Sequence, residues 1–218
     1  MRVVRQSYKI LGDIHSSAFI HRIAQAARTC YQSDSGVGDD AKDESLVRRL
    51  IFSGHEAMLE HAGLTVEFLT DRGVANELVR HRVASFAQES TRYCNYSKGK
   101  FDGEISVIAP ETLMVPSKAF QCWATACMEA EREYLAMLES GASVEDARDV
   151  LPLCLATHIV VTANIREWRH IFKLRALGTT GKPHPKMQAL MKPLYDELAA
   201  AQPALFGDLI ELANSANS

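Results

Sequence analysis

The chain has 218 residues, 47% of them hydrophobic and 23% charged, and 24 basic residues against 27 acidic ones leave a net charge of −3. That length and balance describe one globular domain, 1–218, with a substantial core, and they exclude the broad basic face that grips duplex nucleic acid. No apolar run approaches the ~18 residues of a membrane span, Met1-Arg2-Val3-Val4-Arg5 opens no secretory signal, and the expected compartment is the cytoplasm.

Val3 to Lys9 alternate and read as a first strand, after which Ser16 or Ser17 can cap a helix through Ile20, Ile23 and Ala26. Gln32 to Asp43 holds Ser, Gly and four Asp but no apolar group larger than Val37, the composition of a mobile loop. Ser45 starts a second helix through Leu46, Leu50 and Ile51, and Gly54 ends it, with His55 just beyond. Leu64 to Thr70 alternates apolar with polar groups as a half-buried strand does. Asp71 then caps a helix carrying Val74, Leu78 and His81. Arg80 and Arg82 would thus lie near a helix C-terminus, where the dipole favours cations.

Ile105 to Ala109 reads as another strand. Ser117 caps a long helix whose stripe of Phe120, Trp123, Cys127, Tyr134, Leu135 and Leu138 is core or subunit interface, and Gly141 follows its end. Ser143 with Asp146 resembles a capping box before Pro152. His158 to Ala163 is a β-branched, apolar, buried strand, and Asn164 caps the helix of Trp168, Ile171, Phe172 and Leu174. No element is read beyond Arg175. Strands and helices mix without a βαβ repeat or a G-x-G-x-x-G loop, so the class is α+β: a mixed or antiparallel sheet with several packed helices.

Five scattered cysteines (30, 94, 122, 127 and 154) contain no C-x-x-C pair, which argues for reduced thiols against a disulfide framework or zinc site. His55-Glu56 with Glu60-His61 lacks the i, i+4 histidine spacing of a helical zinc motif, so no metal is expected; His61 reads as a structural group bonding backbone near the next strand. The informative stretch is Arg80-His81-Arg82, then seven residues, then Ser90, Thr91, Arg92 and Tyr93. Apolar flanks on both sides, Val74, Leu78 and Val79 before and Val83, Ala84 and Phe86 after, mark a packed element and not a solvated charge run. Cations held there in a net acidic chain point to an anion. Further guanidinium groups, at Arg148, Arg166, Arg169 and Arg175, suit phosphate or a pyrimidine gaining negative charge. Arg166 and Arg169, three apart, would share a helix face. Gln88-Glu89-Ser90-Thr91 is a polar turn that can offer hydroxyl, amide and backbone N–H groups to a nucleotide. Cys94 is the more reactive of two neighbouring nucleophile candidates, Ser90 being the other, because Arg92 lies two residues away.

The pattern R-H-R, seven residues, Ser resembles the signature of the flavin-dependent thymidylate synthases. Gly54-His55-Glu56, Glu60-His61, Ala147-Arg148, Val150-Leu151-Pro152, Asn164, Arg166 and Leu174-Arg175 stand in that family's order, over about residues 45 to 190. Some members carry Asn and Glu at the positions of Ala87 and Gln88, and Gln at Glu77. The resemblance implies FAD bound by His55, Ala57, Arg80, His81, Arg82, Gln88, Asn164, Ile165, Arg166 and His170. It implies deoxyuridylate (dUMP) held by Glu77, Leu78, Val79, Arg80, Gln88, Glu89, Ser90, Thr91, Arg92, Arg148 and Arg175, with Arg175 polarising the uracil. It further implies methylenetetrahydrofolate as methylene donor, NADPH as reductant, no covalent enzyme nucleophile, and a homotetramer with sites at subunit junctions. A non-catalytic nucleotide-binding regulator using the same arginines is the alternative.

Overall fold

The computed structural model describes residues 1–30, 32–33 and 38–216. In chain order the elements are β1 (Arg2–Val4), β2 (Ser7–Leu11), α1 (Ala18–Thr29), α2 (Asp40–Phe52), a 3-10 turn (Glu56–His61), β3 (Gly63–Asp71), α3 (Arg72–Leu78), β4 (Ala84–Gln88), β5 (Ser106–Ile108), α4 (Lys118–Glu139), α5 (Val144–Ala147), β6 (Ala156–Asn164), α6 (Ile165–Arg175), α7 (Pro185–Ala201), α8 (Pro203–Phe206) and α9 (Leu209–Ala216). The α+β class is as expected. β1 and β5 pair in parallel, Arg2 opposite Ser106 and Val4 opposite Ile108. A four-stranded sheet runs β2-β3-β6-β4. Its central pair is antiparallel, since Thr65 bonds Thr162 while Glu67 bonds His158, one index rising as the other falls.

Caps explain where the helices begin. Asp71 accepts from the Val74 N–H at 2.8 Å, Ser117 from Phe120 at 3.1 Å, Ser143 from Asp146 at 3.1 Å and Asn164 from Glu167 at 2.8 Å, each satisfying a first-turn donor. Gly54, at φ 72°, ends α2 as expected. Three expectations are corrected. The first strand is two, β1 and β2, in different sheets. α2 begins at Asp40 behind an Asp39 cap, five residues before Ser45, because acidic groups suit a helix's first turn as well as they suit a loop; residues 34–37 of the expected loop lie outside the described residues. And α3 stops at Leu78, so His81 follows a helix end instead of riding on the helix.

The chain divides into two compact units. The first comprises residues 1–8, 67–80 and 86–160. Its core gathers Tyr96, Ile105, Val107, Cys127, Tyr134, Ala147 and Leu155, with Trp123, Leu135 and Leu138 packed against them, so most of the α4 stripe is core. The second comprises residues 9–66, 81–85 and 161 onward. It is centred on α6, where Phe172 meets the rings of Trp168, Tyr195 and Phe206 at 5.6, 5.6 and 5.7 Å. Each such ring buried contributes about 1.5–3 kcal/mol, and each ring pair about 0.5–1.5 kcal/mol more. The Trp168 indole N–H donates to the Leu64 carbonyl at 3.0 Å, so its one polar atom is satisfied. Arg169, on the same helix, is fully buried. It donates to both carboxylate oxygens of Asp208 at 2.7 Å and to the Leu205 carbonyl, which ties α6 to the chain that follows α7.

Candidate functional site

In the second unit His81 lies along α6 and touches three of its turns. Its Nδ1 is 3.2 Å from Glu167 Oε1 near the helix start. Its ring meets His170 edge-on at 5.7 Å in the middle. Its Nε2 accepts from Arg175 Nε at 3.1 Å at the end. His81 is 5% exposed and Glu167 9%. Burial, then the charge of Arg175 and of His170, depresses the imidazole from 6.5 to about 4, so the ring is neutral at physiological pH. Burial raises the Glu167 carboxyl, an effect that His170 and Arg166 oppose. His81, Glu167 and His170 present ligand-type atoms within 4.8 Å of one another, yet both nitrogens of His81 are already engaged, and the Arg175 cation sits where a metal ion would be repelled.

Beside this cluster, still within the second unit, a groove of about 320 Å³ is lined by Glu56, Glu60, Val83, Asn164, Arg166, Glu167, His170 and Lys173. Arg166 is held by Glu60 at 2.6 Å and lies 3.7 Å from Glu56; Lys173 lies 3.8 Å from Glu56. Arg166 is exposed and Arg169 buried, yet both lie toward Glu56, at 3.7 and 4.0 Å, so they share a helix face as expected. His55 and Ala57 are exposed around the start of the 3-10 turn, while Ile165 is buried with its N–H on the Ala62 carbonyl, so it offers a ligand neither side chain nor donor. The His61 side chain is exposed and makes no hydrogen bond among the described residues, against the structural role expected of it.

The first unit collects the nucleotide-type residues. Gln88 donates to Thr157 Oγ1 at 3.3 Å at the end of β4, and the Glu89 carboxylate accepts from the Tyr96 hydroxyl at 3.2 Å. The chain then turns tightly, with the Ser90 carbonyl accepting from the N–H groups of Tyr93 and Cys94 at 3.1 and 3.0 Å. Arg148 reaches Thr91 Oγ1 at 3.5 Å. Arg92 is paired in the open with Glu145 at 2.7 Å. Leu78 is buried, so any contact it makes is through its main chain; Glu77 is half-buried and Val79 exposed. Burial, then Glu89, pushes the Cys94 thiol up, and Arg92, the neighbouring cation that suggested reactivity, is turned to Glu145, so the cysteine is a poor nucleophile.

Arg80 and Arg82 stand apart from all of these. Both side chains are exposed and neither makes a hydrogen bond or ion pair among the described residues, although the imidazole between them is buried. Two guanidinium groups with unspent donors are the chemistry an anionic ligand requires. Glu167 is the participant that sequence reasoning missed. Asn164 followed three residues later by Glu167 is the helix-start pattern that could have singled it out.

A family model described as thymidylate synthase complementing protein matches residues 15–204. The flavin-dependent thymidylate synthase of Geobacter sulfurreducens is 33% identical over 196 residues, which cover 85% of this chain and 80% of that protein. That of Corynebacterium efficiens is 30% identical over 200 residues, 84% of this chain and 76% of its own length. For the protein of the same name from Pyrococcus abyssi the match, 36% identical over 138 residues, covers 63% of this chain and 55% of the relative. Among solved structures, a UMP/dUMP methylase from Streptomyces cacaoi bound with 5-Br dUMP superposes with a TM-score of 0.77 over 95% of this chain and 96% of that one; at 22% identity the likeness is one of fold. No helix among the described residues is long and apolar enough to cross a membrane.

Proposed function

The chain belongs to the thymidylate synthase complementing protein family, and from that premise we propose that it is a flavin-dependent thymidylate synthase. It would make thymidylate from dUMP, taking a methylene group from 5,10-methylenetetrahydrofolate. FAD, when bound and reduced by NADPH, would supply the hydride that completes the methyl group. The observation that carries the reading is the pair of exposed guanidinium groups of Arg80 and Arg82, without partners among the described residues, flanking a buried imidazole in the R-H-R pattern.

On this reading Arg80, Arg82, Arg166 and His170 receive the flavin dinucleotide. The resemblance adds His55, Ala57, His81, Gln88, Asn164 and Ile165 to that set, of which His81 and Ile165 are buried. Gln88, Glu89, Ser90, Thr91, Arg92 and Arg148, with Arg80 and the main chain of Glu77, Leu78 and Val79, receive dUMP. Arg175 polarises the pyrimidine. Its Nε is committed to His81, so the terminal nitrogens are the ones a uracil carbonyl or N3 would meet. A guanidinium stays cationic throughout, so it stabilises charge developing on the ring without exchanging a proton. The functional unit is a cytoplasmic homotetramer.

Fluorescence titration with FAD, followed by anaerobic reduction and addition of dUMP with methylenetetrahydrofolate, tests the reading. The expected outcome is micromolar or tighter flavin binding and flavin oxidation that depends on both substrates. Binding of dUMP without any substrate-dependent oxidation would favour a non-catalytic nucleotide-binding regulator.

A further inference from the structure

The least conspicuous member of the α6 cluster is the one with the most consequence. Arg175 donates through Nε to His81 Nε2 at 3.1 Å. Arginine has five donors and no acceptor, so Nε2 must present a lone pair. A neutral imidazole carries one proton, and with Nε2 bare that proton is on Nδ1. Nδ1 faces Glu167 Oε1 at 3.2 Å, so the imidazole donates to the carboxylate. The chain of bonds therefore runs in one direction only, Arg175 to His81 to Glu167, and no other proton arrangement satisfies both contacts.

We propose that Glu167 is a positioning residue for the reaction: by accepting the Nδ1 proton of His81 it keeps the imidazole in the tautomer that can hold Arg175, and so fixes where the guanidinium's terminal nitrogens point. The proposal rests on the reading that Arg175 acts on the pyrimidine. The geometry suits this role, because Glu167 and Arg175 lie on one helix, eight residues and about 12 Å of rise apart, too far to touch. His81, brought in by a separate segment, spans the gap. Glu167 is itself fixed in α6, its N–H bonded to the Asn164 cap at 2.8 Å. Among the described residues the groups facing the imidazole are Glu167, His170 and Arg175. Arg166, next to Glu167, is turned outward to Glu60. An imidazole left to itself prefers its proton on Nε2, which would point an N–H at an N–H and release the arginine. The carboxylate removes that alternative.

The test uses the full-length protein with ¹⁵N-labelled histidine, the His81 signals being identified by their loss in His81→Asn. In the ligand-free wild type, His81 should appear as a neutral ring protonated at Nδ1 between pH 6 and 8. Glu167→Ala should move the proton population toward Nε2, whereas Glu167→Gln, whose amide oxygen can still accept, should keep the Nδ1 form. In turnover, Glu167→Ala should lower kcat on the order of 10- to 100-fold, as loss of an orienting partner does elsewhere, with KM for dUMP little changed, and Glu167→Gln should recover part of the loss. Thermal unfolding of each variant establishes that it is folded. A wild-type His81 protonated at Nε2, or a folded Glu167→Ala that keeps both the Nδ1 form and normal kcat, overturns the proposal. If the tautomer behaves as expected but Arg175→Ala turns over normally, the positioning geometry stands and the assignment of Arg175 to the pyrimidine fails instead.

Discussion

The turn at residues 88–92 and the cluster around His81 hold the same kinds of side chain under opposite conditions. In the turn, Arg92 and Glu145 are each about half exposed, 53% and 52%. Such a pair is worth about 0–1 kcal/mol and is readily exchanged for another anion. In the cluster, His81 and Glu167 retain 4% and 11% of side-chain exposure, and every hydrogen bond has a required direction. The first arrangement can accept a phosphate by swapping partners. The second cannot reorganise without leaving a buried polar group unsatisfied, which costs about 1–3 kcal/mol. Binding surfaces tolerate the former; a group that must meet a developing charge at a fixed place needs the latter.

The largest effect should come from the ordered side of this contrast. Arg175→Ala is expected to spare FAD binding, because the guanidinium is assigned to the substrate ring, and to lower kcat by about 10²–10³-fold, as removal of one preorganised stabiliser does. Steady-state kinetics separates the possibilities. A near-normal kcat with only KM raised would mean that Arg175 binds substrate and transition state alike, and the cluster would then be another binding surface.

Protonation offers a second way to break the contrast. The folded protein holds His81 neutral down to about 4, whereas the unfolded chain takes a proton near 6.5. Between those values the unfolded state binds more protons, so stability contributed by the neutral imidazole is fully present above pH 6.5 and is lost as pH falls toward 4. The depression corresponds to about 3 kcal/mol. Glu167, raised by burial, works in the opposite sense as it takes up its own proton, so the comparison of wild type with His81→Asn isolates the imidazole. Urea unfolding at pH 7 and pH 4 should find the stability gap between them narrowed at the lower pH. A gap that does not change would mean that the ring titrates normally and that its burial is not enforced.

How much of this was open to sequence reading divides along the same line. Local rules carried the caps at Asp71, Ser117, Ser143 and Asn164, since a cap is decided within three residues of itself. The R-H-R pattern and the polar turn were visible for the same reason. Contacts at long separation were not: His81 meets Glu167 86 residues on, and Arg175 94 residues on, and although a helix-start pattern marks Glu167 and the family resemblance marks Arg175, nothing local to either says that it meets His81. Arg169 was grouped with the guanidinium groups suited to a ligand because its partner Asp208 lies in the C-terminal stretch where no element was read. The start of α2 was missed because four nearby aspartates serve a loop and a helix N-terminus equally well.

The smallest expected effect sharpens the comparison from the exposed side. Glu145→Gln removes the carboxylate that occupies Arg92 through bonds of 2.7 and 3.0 Å. Both groups are open to solvent, so stability should move by no more than about 0.5 kcal/mol. If the phosphate of dUMP competes with Glu145 for that guanidinium, relieving the competition should tighten dUMP binding by about two- to fivefold, the worth of an exposed ion pair. Calorimetric titration at low and high salt checks both the size and the origin, because an exchange of exposed charges fades as the Debye length shortens. Weaker binding in Glu145→Gln would reveal that Glu145 orients Arg92 for the phosphate instead of occupying it, and the turn would then share the enforced geometry of the His81 cluster.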